Sequence, residues 1–166
     1  MSLIAKYNFD INDSDFGSNN GRTIIDQSGN GNNLVKSPSN NSGSWETDDP
    51  FADTNIYSFH FNTNQHFEKA LSSTYSGDFS ISIWFKPDTT MGKHDAMFAS
   101  SSSNNTLTFQ IGTANAGTTL HVQVDRGSGL YFDIGTYSVG SWNHAAITFN
   151  NSTSTLKTYM GGSLQN

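Results

Sequence analysis

Side chains able to act on a ligand are sparse in this chain, and they fall into three groups. The first is acidic and amide-rich: Asp26, Asn30 and Asn32 within Asp26-Gln-Ser-Gly-Asn-Gly-Asn32, and Asp10, Asn12, Asp13 and Asp15 just upstream. Calcium takes about six to eight oxygen ligands from carboxylates, amides and carbonyls, and loops of this composition supply them. Asp26, Asn30 and Asn32 are therefore candidate ligands for a structural calcium ion. The same residues also suit a metal-free turn, with Asp26 closing an Asx-turn and Asn30 and Asn32 in left-handed conformations, and Asp10–Asp15 also suits a solvated turn.

The second group is aromatic and polar. Trp84, His121, Gln123 and Tyr131 stand opposite the apolar residues of alternating segments, and Trp45 lies in a polar stretch. An exposed ring for the apolar side of a pyranose, with polar neighbours for its hydroxyls, is what sugar binding needs, so these five are the candidate ligand-binding residues on one face of a sheet or loop rim. The alternative for Trp84 and Trp142 is that they cap the fold, since tryptophan is usually largely buried. The third group would be catalytic, and it is thin. Glycoside hydrolysis needs two carboxylates at a set separation, yet the chain has only two glutamates, Glu46 and Glu68. No Gly-x-Ser-x-Gly elbow supports Ser/His/Asp chemistry, and His144 reads as a structural hydrogen-bonding group beside Trp142.

The elements that must position these groups are strands. Phe79, Ile81, Ile83 and Phe85 alternate with Ser80, Ser82 and Trp84, the period-two signature of a sheet with one face in a core. Tyr57–Phe61, Leu107–Ile111, Leu120–Val124, Leu130–Ile134 and Ala145–Phe149 repeat the pattern, and Ile4–Phe9, Ala96–Ala99 and Thr155–Met160 complete the expected set. Arg126-Gly-Ser-Gly129 makes a hairpin of two of them, and Lys36–Asn55 reads as a long surface loop anchored by Trp45 and Phe51. Ten to twelve short strands with one apolar face each must pack as two layers, so the expected fold is an all-β, two-sheet antiparallel jelly roll in one domain, residues 1–166.

Composition narrows the partners. Charged residues make up 13% of the chain, about half the usual share, with Ser, Thr and Asn in their place. The net charge of −6, with eight scattered Lys and Arg, argues against nucleic acid. No apolar run approaches a membrane span of about 18 residues, so membrane insertion is not expected. Cysteine is absent, which excludes disulfides and thiolate chemistry.

Four segments occur in a telling order: Asp26-Gln-Ser-Gly-Asn-Gly-Asn32, Tyr57-Ser-Phe-His-Phe-Asn62, Phe79-Ser-Ile-Ser-Ile-Trp-Phe-Lys-Pro87, and Trp142-Asn-His-Ala-Ala-Ile-Thr-Phe149 leading to Tyr159-Met-Gly-Gly162. In that order they resemble the laminin-G-like jelly-roll group of the concanavalin A-like lectin/glucanase superfamily. The resemblance implies a structural calcium near Asp26 in bacterial relatives. It also implies a further hairpin and closing strand after Leu156–Met160; the expectation here is that closing strands are missing, so that the sequence is a fragment, the domain closes differently, or a neighbouring molecule supplies the edge. An uncovered sheet edge is a route to homo-oligomers. Where laminin-G domains place a calcium-binding Asp, this chain has Asn104-Asn105. Where laminarinase-like members carry Glu-x-Asp-x-x-Glu on a strand, it has Glu46-Thr-Asp48 with Phe51 in place of the second Glu. The expectation is a non-enzymatic recognition module for a glycan or cell-surface ligand, in an extracellular or virion-associated protein. A structural or adhesion element is the alternative, and a glycoside-active enzyme a third.

Overall fold

The computed structural model describes residues 4–7, 9, 23–37, 43–51, 57–61, 65–70, 77–101, 107–124 and 130–166. Among the described residues there are thirteen strands and no helix, and the chain divides into two compact units, Met1–Ser73 and Thr74–Asn166. Asp10–Asp15, Asn104-Asn105 and the turn Arg126–Gly129 lie outside the described residues.

In the first unit, β1 (Thr23–Ile24), β2 (Leu34–Ser37) and β5 (His66–Glu68) form one antiparallel sheet, with β2 in the middle. β3 (Ser44–Glu46) and β4 (Ser58–His60) form a second. The long loop expected over Lys36–Asn55 therefore contains β3, because Trp45 pairs with Phe59 in register and packs edge-on against its ring at 5.3 Å. Phe67 joins the same cluster 5.1 Å from Phe59, and buried Lys36 lays its Nζ 5.5 Å from the Phe59 ring centre. Phe51, the other expected anchor, is 60% exposed. The expected first strand at Ile4–Phe9 is not a strand in its described residues; it is held instead by the Asp26 turn.

The second unit is the predicted sandwich. One sheet runs in the order β10 (Leu130–Thr136), β9 (Thr119–Val124), β8 (Leu107–Gly112), β7 (Ala96–Ser101). The other runs β13 (Ser163–Leu164), β12 (Thr155–Met160), β11 (Asn143–Asn150), β6 (Phe79–Phe85). All pairings are antiparallel. Between the sheets lie Ile111, Leu120, Val122, Ile134, Tyr137, Ala145 and Ile147, all buried. Phe79, Ile81, Ile83 and Phe85 pack on them half-buried, as their alternation predicts. Ile81 faces Ile147 and Ile83 faces Ala145 across the β6–β11 ladder, so the apolar series of neighbouring strands stay in step. The β12–β13 turn is Gly161-Gly162, at φ 56° and 82°, a left-handed pair that a two-residue hairpin requires and that glycine adopts without strain.

Removing a fully buried side chain from this interior leaves a cavity. Ile147→Ala is expected to lower unfolding free energy by about 2–5 kcal/mol in urea titrations, while Ser80→Ala on the solvent side of β6 stays within about 0.5 kcal/mol. Equal effects from the two would contradict the sandwich.

Candidate functional site

The outward series of the two sheets in the second unit carry two aromatic recesses. On the β10–β9–β8–β7 sheet, His121 of β9 lies directly across from Asp133 of β10, and Tyr131 across from Gln123. His121 Nδ1 lies 2.8 Å from Asp133 Oδ1, a close contact without hydrogen-bond alignment. The His121 and Tyr131 rings meet edge-on at 6.1 Å, and Tyr131 is 41% exposed. Gln123 is buried beneath this edge and donates from Nε2 to the Tyr131 hydroxyl at 3.3 Å. His121, Tyr131 and Asp133, with Lys93, His94, Ala114 and Asn115, line a recess of about 460 Å³.

Sequence reasoning missed Lys93, His94, Asn115 and the placement of Asp133 in this recess. Lys93, His94 and Asn115 arrive on two loops that are bolted to the sheet. Thr113 N donates to Asp95 O and His94 N to Thr113 O, both at 2.9 Å, and the Thr113 hydroxyl donates to Gly92 O. Gly92 N donates to the Asp95 carboxylate at 2.6 Å. The two Gln110 Nε2 contacts, to His94 O and Asp95 O, are long, at 3.4 and 3.5 Å. This arrangement holds His94 at φ 64°, a left-handed conformation that costs a non-glycine residue energy and so must be imposed by its surroundings. Buried Tyr137 ties the second loop to the first, its hydroxyl donating to Gly117 O at 2.9 Å and accepting from Met91 N at 2.8 Å.

Gly112 makes the close approach possible. A Cβ there would stand 2.0 Å from Asp95 O and 2.9 Å from Ala96 Cα. A glycine inside a strand marks such an approach, and this was the one available sequence signal for the 92–95 loop.

On the other sheet, Trp84 of β6 faces His144 of β11, with ring centres 4.8 Å apart. His144 Nε2 is 2.8 Å from Ser82 Oγ, so the expected structural role of His144 is met through Ser82. A recess of about 420 Å³ lies here, lined by Trp84, Trp142, His144, Gly161 and Gly162 among others. The four candidate ligand residues of the second unit thus do not share one face. His121, Tyr131 and the buried Gln123 belong to one sheet, Trp84 to the outward side of the other, and Trp45 to the aromatic cluster of the first unit. The pleat separates them, because each sheet has its own outward side.

Asp26, Asn30 and Asn32 do come together, in a hydrogen-bonded turn. Asp26 Oδ1 accepts from Ser28 N at 2.8 Å and Lys6 N at 3.0 Å; Oδ2 accepts from Ser28 Oγ at 2.8 Å and Asn32 N at 2.9 Å. Asn30 and Asn32 donate from Nδ2 to Ile4 O at 3.1 and 2.9 Å. A carboxylate offers about four lone-pair positions, and four donors already fill those of Asp26.

Burial is the largest influence on the Asp26 carboxyl and acts to raise its pKa. The hydrogen bonds from the Ser28 hydroxyl and the amides of Ser28, Lys6 and Asn32 outweigh it and hold the pKa at about 2, below the ordinary 3.8. Tyr7, which donates to Asn32 O at 2.5 Å, is pushed up by burial and by the Asp26 charge.

A laminin-G family model, described as concanavalin A-like lectin/glucanases superfamily, matches residues 61–166. The chain belongs to this family. No curated protein and no solved structure matches it. The laminin-G-like assignment agrees with the two packed antiparallel sheets of the second unit, all of whose strands lie within the matched span.

Two outcomes test this geometry. Because the folded-state pKa of Asp26 is depressed, its stabilising contribution is present above the ordinary value and disappears as pH falls through about 2. The stability gap between the wild type and Asp26→Asn, read in urea, should therefore be widest near about pH 5 and shrink toward about pH 2.5; a constant gap contradicts the ionised turn. Gly112→Ala should destabilise by about 1–3 kcal/mol in the same titration, through overpacking against Asp95; an unchanged midpoint would mean that the loop does not lie on the strand.

Proposed function

We propose that this chain is a non-catalytic recognition module and that the recess between Tyr131, His121 and Asp133 takes a sugar residue of a surface glycan. The observation that carries the reading is the exposed Tyr131 ring, edge-on to His121 and fixed from beneath by Gln123. Around it stand a carboxylate, an amide and an ammonium group from Asp133, Asn115 and Lys93. Ring and polar rim together suit a ligand with one apolar side and several hydroxyls, and a volume of about 460 Å³ is within the usual range for a small-molecule site.

Asp133 is the one carboxylate among the described residues lining the recess, whereas glycoside hydrolysis takes a pair about 5–10 Å apart. That supports binding without turnover. The reading extends to an extracellular or virion-borne setting through the family's usual role.

A glycan array probed with and without about 1 mM calcium is the direct test. The expected outcome is selective retention of a small set of glycans, independent of calcium, with at least about tenfold weaker binding by Tyr131→Ala at an unchanged melting temperature. Silence across the array would favour a packing or adhesion element, and release of reducing sugar by the purified protein would restore the enzyme.

A further inference from the structure

The recess on the opposite sheet is not used by the function proposed above, yet it is the more fully prearranged of the two. Trp84 is 43% exposed on a strand whose other outward residues are Ser80 and Ser82. Indole rings are mostly buried in folded proteins, so an open one held rigidly needs a reason. Three sets of contacts hold this one and its surroundings. The His144 ring lies beside it, centres 4.8 Å apart and tilted by 37°, and Ser82 Oγ fixes the imidazole through Nε2. Asn143 orders the loop that carries Trp142, accepting at Oδ1 from Ser138 N at 2.9 Å and donating from Nδ2 to Ser138 O and Ser141 O at 2.9 and 2.6 Å. The glycine turn is clamped to the same strand by Gly161 N donating to His144 O at 2.8 Å.

Glycine at 161 and 162 has a second consequence. A Cβ at either position would meet nothing within 4 Å, so side chains there would stand free beside the recess and narrow it. The recess is thus lined by the rings of Trp84, Trp142 and His144 together with the glycine turn. Among its described lining residues there is no carboxylate and no lysine or arginine.

We propose that this recess is a second carbohydrate site, taking an uncharged pyranose that lays its C–H face on the Trp84 indole. The ligand class follows from the lining. A flat ring with apolar hydrogens matches the indole face, its hydroxyls can reach the carbonyl groups of the turn and solvent, and no charged group is present to recognise an acidic or basic ligand. The two sites lie on the outward sides of opposite sheets, so one chain can hold two sugar residues that are not adjacent. Simultaneous engagement on a dense glycan surface then gives an avidity that neither recess has alone. The proposal extends the function proposed above, but its site is separate and can be tested separately.

The test uses the whole chain, labelled for nuclear magnetic resonance, with the methyl pyranosides of glucose, galactose and mannose added one at a time. At least one sugar is expected to shift the indole N–H signals of Trp84 and Trp142 while leaving that of Trp45 unmoved. Trp84→Ala should weaken that binding about tenfold or more, and Tyr131→Ala should leave it unchanged. Trp84→Phe, which keeps a ring on the same strand, guards against loss of fold and should retain part of the affinity. Shifts confined to the Tyr131 ring would overturn the second site and leave the first standing. Unmoved Trp84 and Trp142 signals with all three sugars would overturn the proposal outright.

Discussion

The dry seam between the two four-stranded sheets is the constraint from which the rest of the second unit follows. Leu120, Val122, Ile134 and Ile147 are fully enclosed there, and each lies on a strand whose neighbouring residues must point the other way. Burying Leu120 and Val122 turns His121 outward; burying Ile134 and packing Phe132 turns Tyr131 and Asp133 outward; seating Ile83 and Phe85 exposes Trp84. A one-residue slip in any of these ladders would exchange the two sets and place polar groups in the core. Both recesses are therefore held in position by apolar residues that never touch a ligand.

Polar contacts then refine what burial has set. Thr158, fully buried on β12, donates its hydroxyl to Asp133 O at 2.7 Å, joining the two sheets across the interior. The β9–β10 ladder shifts register just after Asp133, and a shift of this kind leaves backbone groups free for partners outside the ladder. Thr158 uses one of them. The residue whose carboxylate meets His121 is thus anchored through its carbonyl from the opposite layer. On the loop side, Gly112, Tyr137 and Thr113 do the equivalent work for His94 and Asn115. Such support lets a site on loops keep a fixed shape before a ligand arrives.

Periodicity made the sandwich legible. Seven-residue alternation at Phe79–Phe85 and its answer at Asn143–Asn150 are signals that neighbours in sequence create by themselves, and the structure pairs those strands. The first unit was harder to read because its strands are two to four residues long and rest on pairings with distant partners. β3 is the clearest instance: Trp45 sits among Ser, Gly and Glu, and only Phe59, far along the chain, makes a strand of it. At the site, His121 and Tyr131 could be found by alternation, but His94 could not. Its place depends on a left-handed backbone and on an absent Cβ at Gly112, neither of which leaves a periodic trace. The turn at Asp26 was visible as a cluster of oxygen-bearing residues, yet the sequence could not say whether those oxygens faced a cation or amide protons. In the turn as folded, four N–H and O–H donors meet the Asp26 carboxylate.

The composition bears on how such a molecule recognises anything. With 13% charged residues and a net charge of −6 spread over the chain, long-range steering is weak for neutral partners and repulsive for acidic ones. For the binding proposed at the two recesses, selectivity would then come from contact: ring stacking and short hydrogen bonds, both of which depend on shape and are lost when a side chain swings away. The gains per contact are small, of the order of 1 kcal/mol, so mobility in the site would consume them. This accounts for why Trp84 is backed by a tethered histidine, why Tyr131 is backed by a buried glutamine, and why the loops beside them are pinned by a tyrosine hydroxyl and a glycine. Rigidity in the recesses of this fold is the physical condition for weak, neutral contacts to add up to binding.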